Sequence, residues 1–123
     1  MSRIKSKGSK IETTIFAVLR KDGFYFQKHY GRMPGKPDLA VPSKKIAVFI
    51  HSDFWHGWRF SKWKNDLPEY WKIKIERNRQ RDRRNSTKLK KMGWKVLNIW
   101  EHQLHSNKEE TISKIEFFLK ENA

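Results

Sequence analysis

Two short apolar runs separated by three residues place the tightest constraint on this chain. Asp38 to Val41 and Lys45 to Ile50 flank Pro42-Ser43-Lys44, a breaker cluster of hairpin length, so the two runs are expected to form an antiparallel hairpin. The second run carries Ile46-Ala47-Val48-Phe49-Ile50 without a polar interruption, the pattern of a strand covered on both faces. Both strands should be central in a sheet.

The flanking sequence supplies the layers around them. Ser9 to Glu12 reads S-x-x-E before an apolar run, which predicts a helix starting near Lys10 with Glu12 in its first turn. Ile11, Ile15, Val18 and Leu19 continue at helical spacing until Asp22-Gly23 stops the helix. Phe24 to Tyr30 is expected as a strand, Gly31 to Pro37 as a loop, and His51 to Asn65 as an aromatic and basic loop excursion. A long helix should open at Leu67-Pro68-Glu69 and run to about Met92, where Gly93 ends it. Trp94 to Trp100 alternates as a third buried strand, and Glu109 to Glu121 carries the spacing of a closing helix. Two strands joined through a long helix pair in parallel, so the expected fold is α/β, a three-layer-like sandwich with a central mixed sheet flanked by helices.

At 123 residues the chain is expected to be a single domain, 1–123. No apolar stretch approaches a membrane span, and a soluble, cytoplasmic, nucleoid-associated protein with no membrane partner is expected. With no Cys there is no disulfide framework or thiolate metal site, so any metal must be held by oxygen or imidazole.

The charge is concentrated. Between Arg59 and Lys95 stand fourteen basic and four acidic residues, which carry +10 of the net +15. An ordinary solvated helix mixes signs, and this one does not, so the segment reads as a footprint for a polyanion, nucleic acid first. Arg77, Arg79, Arg83 and Arg84 are candidate phosphate contacts. Beside them lie Phe54, Trp55, Trp58, Phe60, Trp63 and Trp71; core packing is the better reading for any one of them, but six are too many rings for one loop to hide, which makes stacking on or wedging between bases the favoured role for the group.

The long helix also carries polar residues where a core face should be apolar. Trp71, Ile75, Asn78, Asp82, Asn85, Leu89 and Met92 fall at alternating steps of four and three, which is one face. A carboxylate buried there needs a partner, because an unpaired buried charge costs several kcal/mol or more. That partner is either a structural network, such as an Arg from a neighbouring element, or a catalytic His, for which His51 and His56 stand at the end of the buried strand. Asp38 opens its strand after a Gly/Pro loop and is a candidate Mg²⁺ ligand alongside a backbone carbonyl and water.

Five ordered motifs carry a resemblance. Pro34-Gly35-Lys36-Pro37-Asp38-Leu39, Phe49-Ile50-His51-Ser52-Asp53-Phe54-Trp55-His56, Trp71 with Lys74-Ile75 and Asn78, Arg81-Asp82-Arg83-Arg84, and Gly93-Trp94-Lys95-Val96-Leu97 to Trp100-Glu101 resemble the very-short-patch repair (Vsr) mismatch endonucleases. That family is a branch of the PD-(D/E)XK, restriction-endonuclease-like nucleases. The resemblance implies a Mg²⁺-dependent enzyme that nicks one strand at a T:G mismatch. It implies that Asp38 holds the metal together with the Ile50 main-chain carbonyl, with Glu12 as a second acidic residue near it. By the same resemblance, His56 is the general base or water-positioning group, Asn78 and Asp82 support it, and Asp82 sets its tautomer. Phe54, Trp55 and Trp71 match the residues that wedge into the duplex, and Lys36 and Arg81, lying within the matching motifs, join the arginines as DNA contacts. The expected partner is mismatched double-stranded DNA bound by a monomer, with repair-pathway proteins as further partners.

The sequence departs from the family at its structural zinc. The matching places hold Asp53, Trp58, Phe60 and His102, so no zinc site is expected and Trp58 and Phe60 are expected to fill the space by apolar packing. His102 and His105 read otherwise as surface or sheet-end histidines. Two alternatives stay open: a related nuclease that cuts matched DNA, of restriction or homing type, and a DNA-binding module without catalysis.

Overall fold

The computed structural model describes the backbone of residues 2–54 and 56–121, and the side chains of 12–54 and 56–121. Helix α1 (Ser2–Lys21) leads into a short strand β1 (Gln27–Lys28), then β2 (Leu39–Val41), a 3₁₀ turn over Pro42–Lys44, and β3 (Ile46–His51). After the aromatic loop come α2 (Phe60–Trp63), a 3₁₀ turn (Lys64–Asp66), the long α3 (Glu69–Lys91), β4 (Lys95–Trp100), α4 (Glu101–Ser106) and α5 (Lys108–Glu121). The sheet order is β1-β2-β3-β4, with β3 and β4 parallel and the other pairs antiparallel. The α/β sandwich and the hairpin of β2 and β3 at the sheet centre are as expected.

Alternation along the two central strands sorts the layers. Leu39, Val41, Ile46 and Val48 point to one face and pack with Ile15, Phe16 and Leu19 of α1 and Ile115 and Leu119 of α5. Ala40 and Ala47 point to the other face, where they meet Leu89 of α3 and Trp94. The two alanines are register partners, so α3 lies over the smallest side chains of the sheet. Each fully buried Leu or Ile contributes roughly 1.5–3 kcal/mol, which makes the first face the larger source of stability. Among the described residues no helix is long and apolar enough to cross a membrane.

Several expectations are corrected. Helix α1 starts at Ser2, well before Lys10, because the Lys- and Ser-rich lead continues the helix and Gly8 costs only about 1 kcal/mol. Glu12 therefore lies mid-helix. Ile11 lies outside the described side chains. The strand expected over Phe24 to Tyr30 shrinks to two residues, since His29 takes a left-handed backbone (φ 49) that ends the pleat. Residues 60–65, expected as loop, fall in α2 and the 3₁₀ turn, and α4 was not expected at all. Strand β4 is an edge strand with Ile99 fully buried but Lys95 and Asn98 exposed, so it is less buried than its alternation implied. Met92 is 47% exposed and leaves the α3 stripe, because the helix ends at Lys91 and Trp94 takes the covering position.

Candidate active site

The register of the sheet brings one set of polar groups to the C-terminal end of β3. Leu39 pairs with Val48, so Asp38, one residue before β2, comes beside the end of β3, where its Oδ2 accepts the Ile50 N–H at 2.6 Å. Glu12 on α1 meets the Asp38 carboxyl, and His29 Nε2 lies 3.3 Å from Glu12 Oε2. One ligand atom from each of Glu12, His29 and Asp38 lies within 4.8 Å of the others. Burial first, and then the charge of Asp38 and a hydrogen bond with it, push the Glu12 carboxyl up to about 8. Two carboxyls in contact, one forced to keep a proton at neutral pH, are the donor set and the electrostatics of a site for a hard divalent cation. In an extended strand a residue's N–H and C=O point to the same side, so the Ile50 carbonyl is turned toward the Asp38 side as well.

A second set begins one peptide further on. The His51 ring is buried and its Nε2 lies 2.7 Å from Asn98 Oδ1 of β4. The His56 ring sits edge-on to His51 with centroids 4.5 Å apart, and its Nδ1 lies 2.6 Å from Asp82 Oδ2 of α3. Burial pushes the His51 imidazole down, and His56 beside it adds to that, so His51 is held neutral near pH 7. With Asp82 accepting, the His56 proton is assigned to Nδ1 and Nε2 keeps its lone pair. His51 also feels the charges of Asp82 and Asp38, which ties the two sets into one electrostatic site.

Packing of the loop on α3 makes the His56–Asp82 contact possible. Gly57 is buried with φ 70, and a Cβ built there would lie 2.7 Å from Arg79 Cδ and 3.0 Å from Ile75 Cγ2. Only glycine allows the loop this close to the helix. A cleft of about 450 Å³ opens beside the site, lined by Phe49, His51, His56 and Asp82 and flanked by Arg79 and Arg83. With 3.6 residues per turn, Arg79 and Arg83 share the cleft side of α3, whereas Arg77, Arg81 and Arg84 lie on its other flank.

The six aromatic residues divide. Phe60 is 1% exposed and belongs to the interior, and Trp63 stands edge-on to it at 5.3 Å. Phe54 stacks on Trp63 at 5.7 Å and meets Trp71 at 6.3 Å, both Phe54 and Trp71 remaining half-buried. Trp55 lies outside the described residues. Trp58 packs on His102 with ring centroids 3.8 Å apart, and Asp53 Oδ1 lies 2.9 Å from His102 Nδ1. Apolar packing of Trp58 and Phe60 is thus joined by a polar contact, and His102, at the end of the sheet as expected, finds its partner 49 residues away in sequence. The group is therefore split: Phe60 is buried and Trp63 packs on it to brace the loop, while Phe54, Trp58 and Trp71 stay only partly buried.

Of the residues singled out in the sequence, the structure brings together Glu12, Asp38 and Ile50, and separately His56 and Asp82. Asn78 Oδ1 accepts from Arg81 Nη2 at 2.7 Å, one helical turn before Asp82. Lys36 is exposed in the turn after Met33. Two residues of the site were not singled out from the sequence, His29 and Asn98; Arg59, counted only within the basic segment, places its guanidinium over Trp58 at 4.3 Å. His51 was a candidate partner for Asp82, a place His56 takes. Adjacency to Ile50 was its one signal.

The family model described as DNA mismatch endonuclease Vsr matches residues 1–62 of the chain. The chain is 35% identical over 106 residues to the type II nicking enzyme V.XorIIP of Xanthomonas oryzae, covering 85% of this chain and 78% of that protein. It is 38% identical over 108 residues to the type II nicking enzyme V.NmeAIP of Neisseria meningitidis serogroup A, covering 85% and 76%. With the DNA mismatch endonuclease Vsr of Escherichia coli K12 it shares 32% identity over 113 residues, covering 90% and 72%.

Proposed function

The chain belongs to the Vsr family of DNA mismatch endonucleases and is a DNA endonuclease, and on that premise we propose that it is a Mg²⁺-dependent enzyme that nicks one strand at a T:G mismatch. The observation that carries this reading is the Glu12–Asp38 carboxyl pair, bonded to the Ile50 N–H, one peptide from the His51 ring that packs edge-on against His56, itself paired with Asp82. That is a cation site beside a base, the parts a phosphodiester hydrolase needs.

In this reading Asp38, the Ile50 carbonyl and Glu12 hold Mg²⁺, whose chemistry is to stabilise negative charge growing on the phosphoryl oxygens. His56 Nε2 takes the proton of the attacking water, and Asp82 holds the ring and stabilises the imidazolium that forms. His51, buried and bound to Asn98, keeps the His56 ring in place by contact. Asn78 holds Arg81 on the flank of α3 away from the cleft. Arg79 and Arg83 take phosphates along the cleft, while Lys36, Arg77, Arg81 and Arg84 extend the contacts beyond it. Phe54 and Trp71, with Trp55, wedge into the duplex, where a weak pair is cheapest to unstack. The partner is double-stranded DNA carrying the mismatch, bound by one copy of the chain, with repair-pathway proteins acting on the nick.

A second reading has a specific observation in its favour, because two of the relatives named above are called type II nicking enzymes. In that reading the same chemistry nicks duplexes by sequence context. The deciding experiment is a nicking assay on a labelled duplex with one central T:G pair and on its matched twin, in Mg²⁺ and in EDTA, over several flanking sequences. Metal-dependent nicking of the T:G duplex alone is expected. Equal nicking of the matched twin would favour the second reading, and binding without nicking would favour a non-catalytic module.

A further inference from the structure

His29 stands against the carboxyl pair without any role so far. We propose that its imidazole is a third protein ligand at the Glu12–Asp38 site, and that this nitrogen makes the site bind Mn²⁺ in preference to Mg²⁺. The proposal rests on the cation reading of Glu12 and Asp38 given above.

The placement of the ring is built by the backbone. The β1–β2 register pairs Gln27 with Ala40 and Lys28 with Leu39, and it continues through His29 N–H donating to the Asp38 carbonyl at 3.0 Å and Tyr30 N–H to the Pro37 carbonyl at 2.9 Å. His29 is therefore set beside Asp38 across the ladder. Its left-handed φ of 49 takes the side chain out of the pleat, a strain that the two hydrogen bonds offset. The ring then rests edge-on against Phe16, centroids 6.0 Å apart, with its Nε2 3.3 Å from Glu12 Oε2. Phe16 and Glu12 are four apart on α1 and so share one side of the helix, with the imidazole between them.

The distances suit a cation. Ligand atoms at about 2.1 Å from an octahedral ion lie roughly 3 Å apart when adjacent and about 4.2 Å when opposite. The three donor atoms here all lie within 4.8 Å, and the His29–Glu12 separation matches an adjacent pair. The His29 side chain is 49% exposed, so an ion reaches it without rearrangement of the core. Carboxylates and carbonyls alone suit Mg²⁺, which prefers oxygen; an imidazole adds affinity for transition-metal ions such as Mn²⁺. The alternative is that His29 acts only as a hydrogen-bonding partner of Glu12.

The test uses the full chain and Mn²⁺ itself. Binding is followed by the free Mn²⁺ electron paramagnetic resonance signal, Mg²⁺ by competition, and nitrogen coordination by the ¹⁴N modulation of the bound Mn²⁺ echo. The variant is His29→Asn, which tolerates the left-handed backbone but lacks the imidazole; His29→Gly serves if it does not fold. Wild-type protein is expected to bind Mn²⁺ at least tenfold more tightly than Mg²⁺ and to show ¹⁴N modulation. His29→Asn is expected to lose the modulation and about tenfold in Mn²⁺ affinity, with Mg²⁺ affinity changed less than threefold. Absence of modulation in the wild type, its retention in the variant, or equal loss for both ions would overturn the proposal and leave the carboxylate site standing. Asp38→Asn binding Mn²⁺ as well as the wild type would instead remove the cation reading, and this proposal with it.

Discussion

Oδ2 of Asp82 lies 2.6 Å from Nδ1 of His56, although the two residues are 26 apart in sequence and come from the middle of α3 and from the aromatic loop. Neither is deeply buried, with side-chain exposures of 30% and 28%, so the pair is open to solvent and to the cleft while its hydrogen bond is kept. The contact accounts for a carboxylate on a helix face that otherwise covers the sheet.

Asp82→Asn keeps the shape of that contact and removes its charge. The amide both donates and accepts, so the His56 tautomer is no longer set and the imidazolium loses its counter-charge. Single-turnover nicking should fall by about 10²-fold or more, with DNA affinity in a gel-shift titration changed less than about threefold.

Glu12 makes the metal-free protein sensitive to pH. Its carboxyl is pushed up from 4.5 to about 8, so between those values the folded protein holds a proton that the unfolded chain has released. The folded state then binds more protons than the unfolded one, and stability falls as pH rises through this window, by a few kcal/mol in all. Urea unfolding in EDTA at pH 5, 6.5 and 8 should show the midpoint decreasing. Glu12→Gln should flatten that dependence.

Phe54 and Trp71 meet at 6.3 Å with Trp63 stacked behind Phe54. Alanine at either position should lower the melting temperature much less than Phe60→Ala, because both rings are only partly buried, and should weaken binding to a T:G duplex. A loss of about tenfold is expected from the 1–3 kcal/mol that a base gains by stacking on an aromatic ring. Phe60→Ala, by contrast, should cost about 3–5 kcal/mol of folding stability, since that ring is buried.

Asp53 and His102 tie the aromatic loop to α4 at 2.9 Å, with Trp58 packed over the imidazole at 3.8 Å. Removing either partner should destabilise the fold by roughly 1 kcal/mol, at the low end for a hydrogen bond to a charged group because both side chains are about a third exposed. In a double-mutant cycle the second removal should cost little more than the first. A parallel rise in KM for nicking would follow from loss of loop order.

Much of the fold was legible because it follows from local period. The uninterrupted Ile46 to Ile50 run, the Pro-Ser-Lys reversal and the long basic helix all register within a few residues of their own positions. Elements defined by context were missed. Strand β1 is cut to two residues by the backbone of His29, and α4 is six residues long and carries little periodic signal of its own. The polar stripe on α3 was readable as something requiring a partner, and Asp38 as a residue at a strand entrance. That His56 rather than His51 meets Asp82 depends on Gly57 letting the loop close on Ile75 and Arg79.

The sequence by itself determined a basic α/β sandwich with Asp38 at a strand entrance and Asp82 in need of a partner that His51 or His56 could supply, because hydrophobic period, chain reversal and charge are properties of neighbouring residues; the choice of His56 was implied by the family resemblance. Only the tertiary structure decided that Glu12, expected near Asp38 from the family resemblance, meets its carboxyl from the middle of α1, that His29 lies against both, and that Asp53 holds His102. Those contacts depend on strand register and helix placement, which are set by packing between segments far apart in the chain and leave no pattern in any one of them.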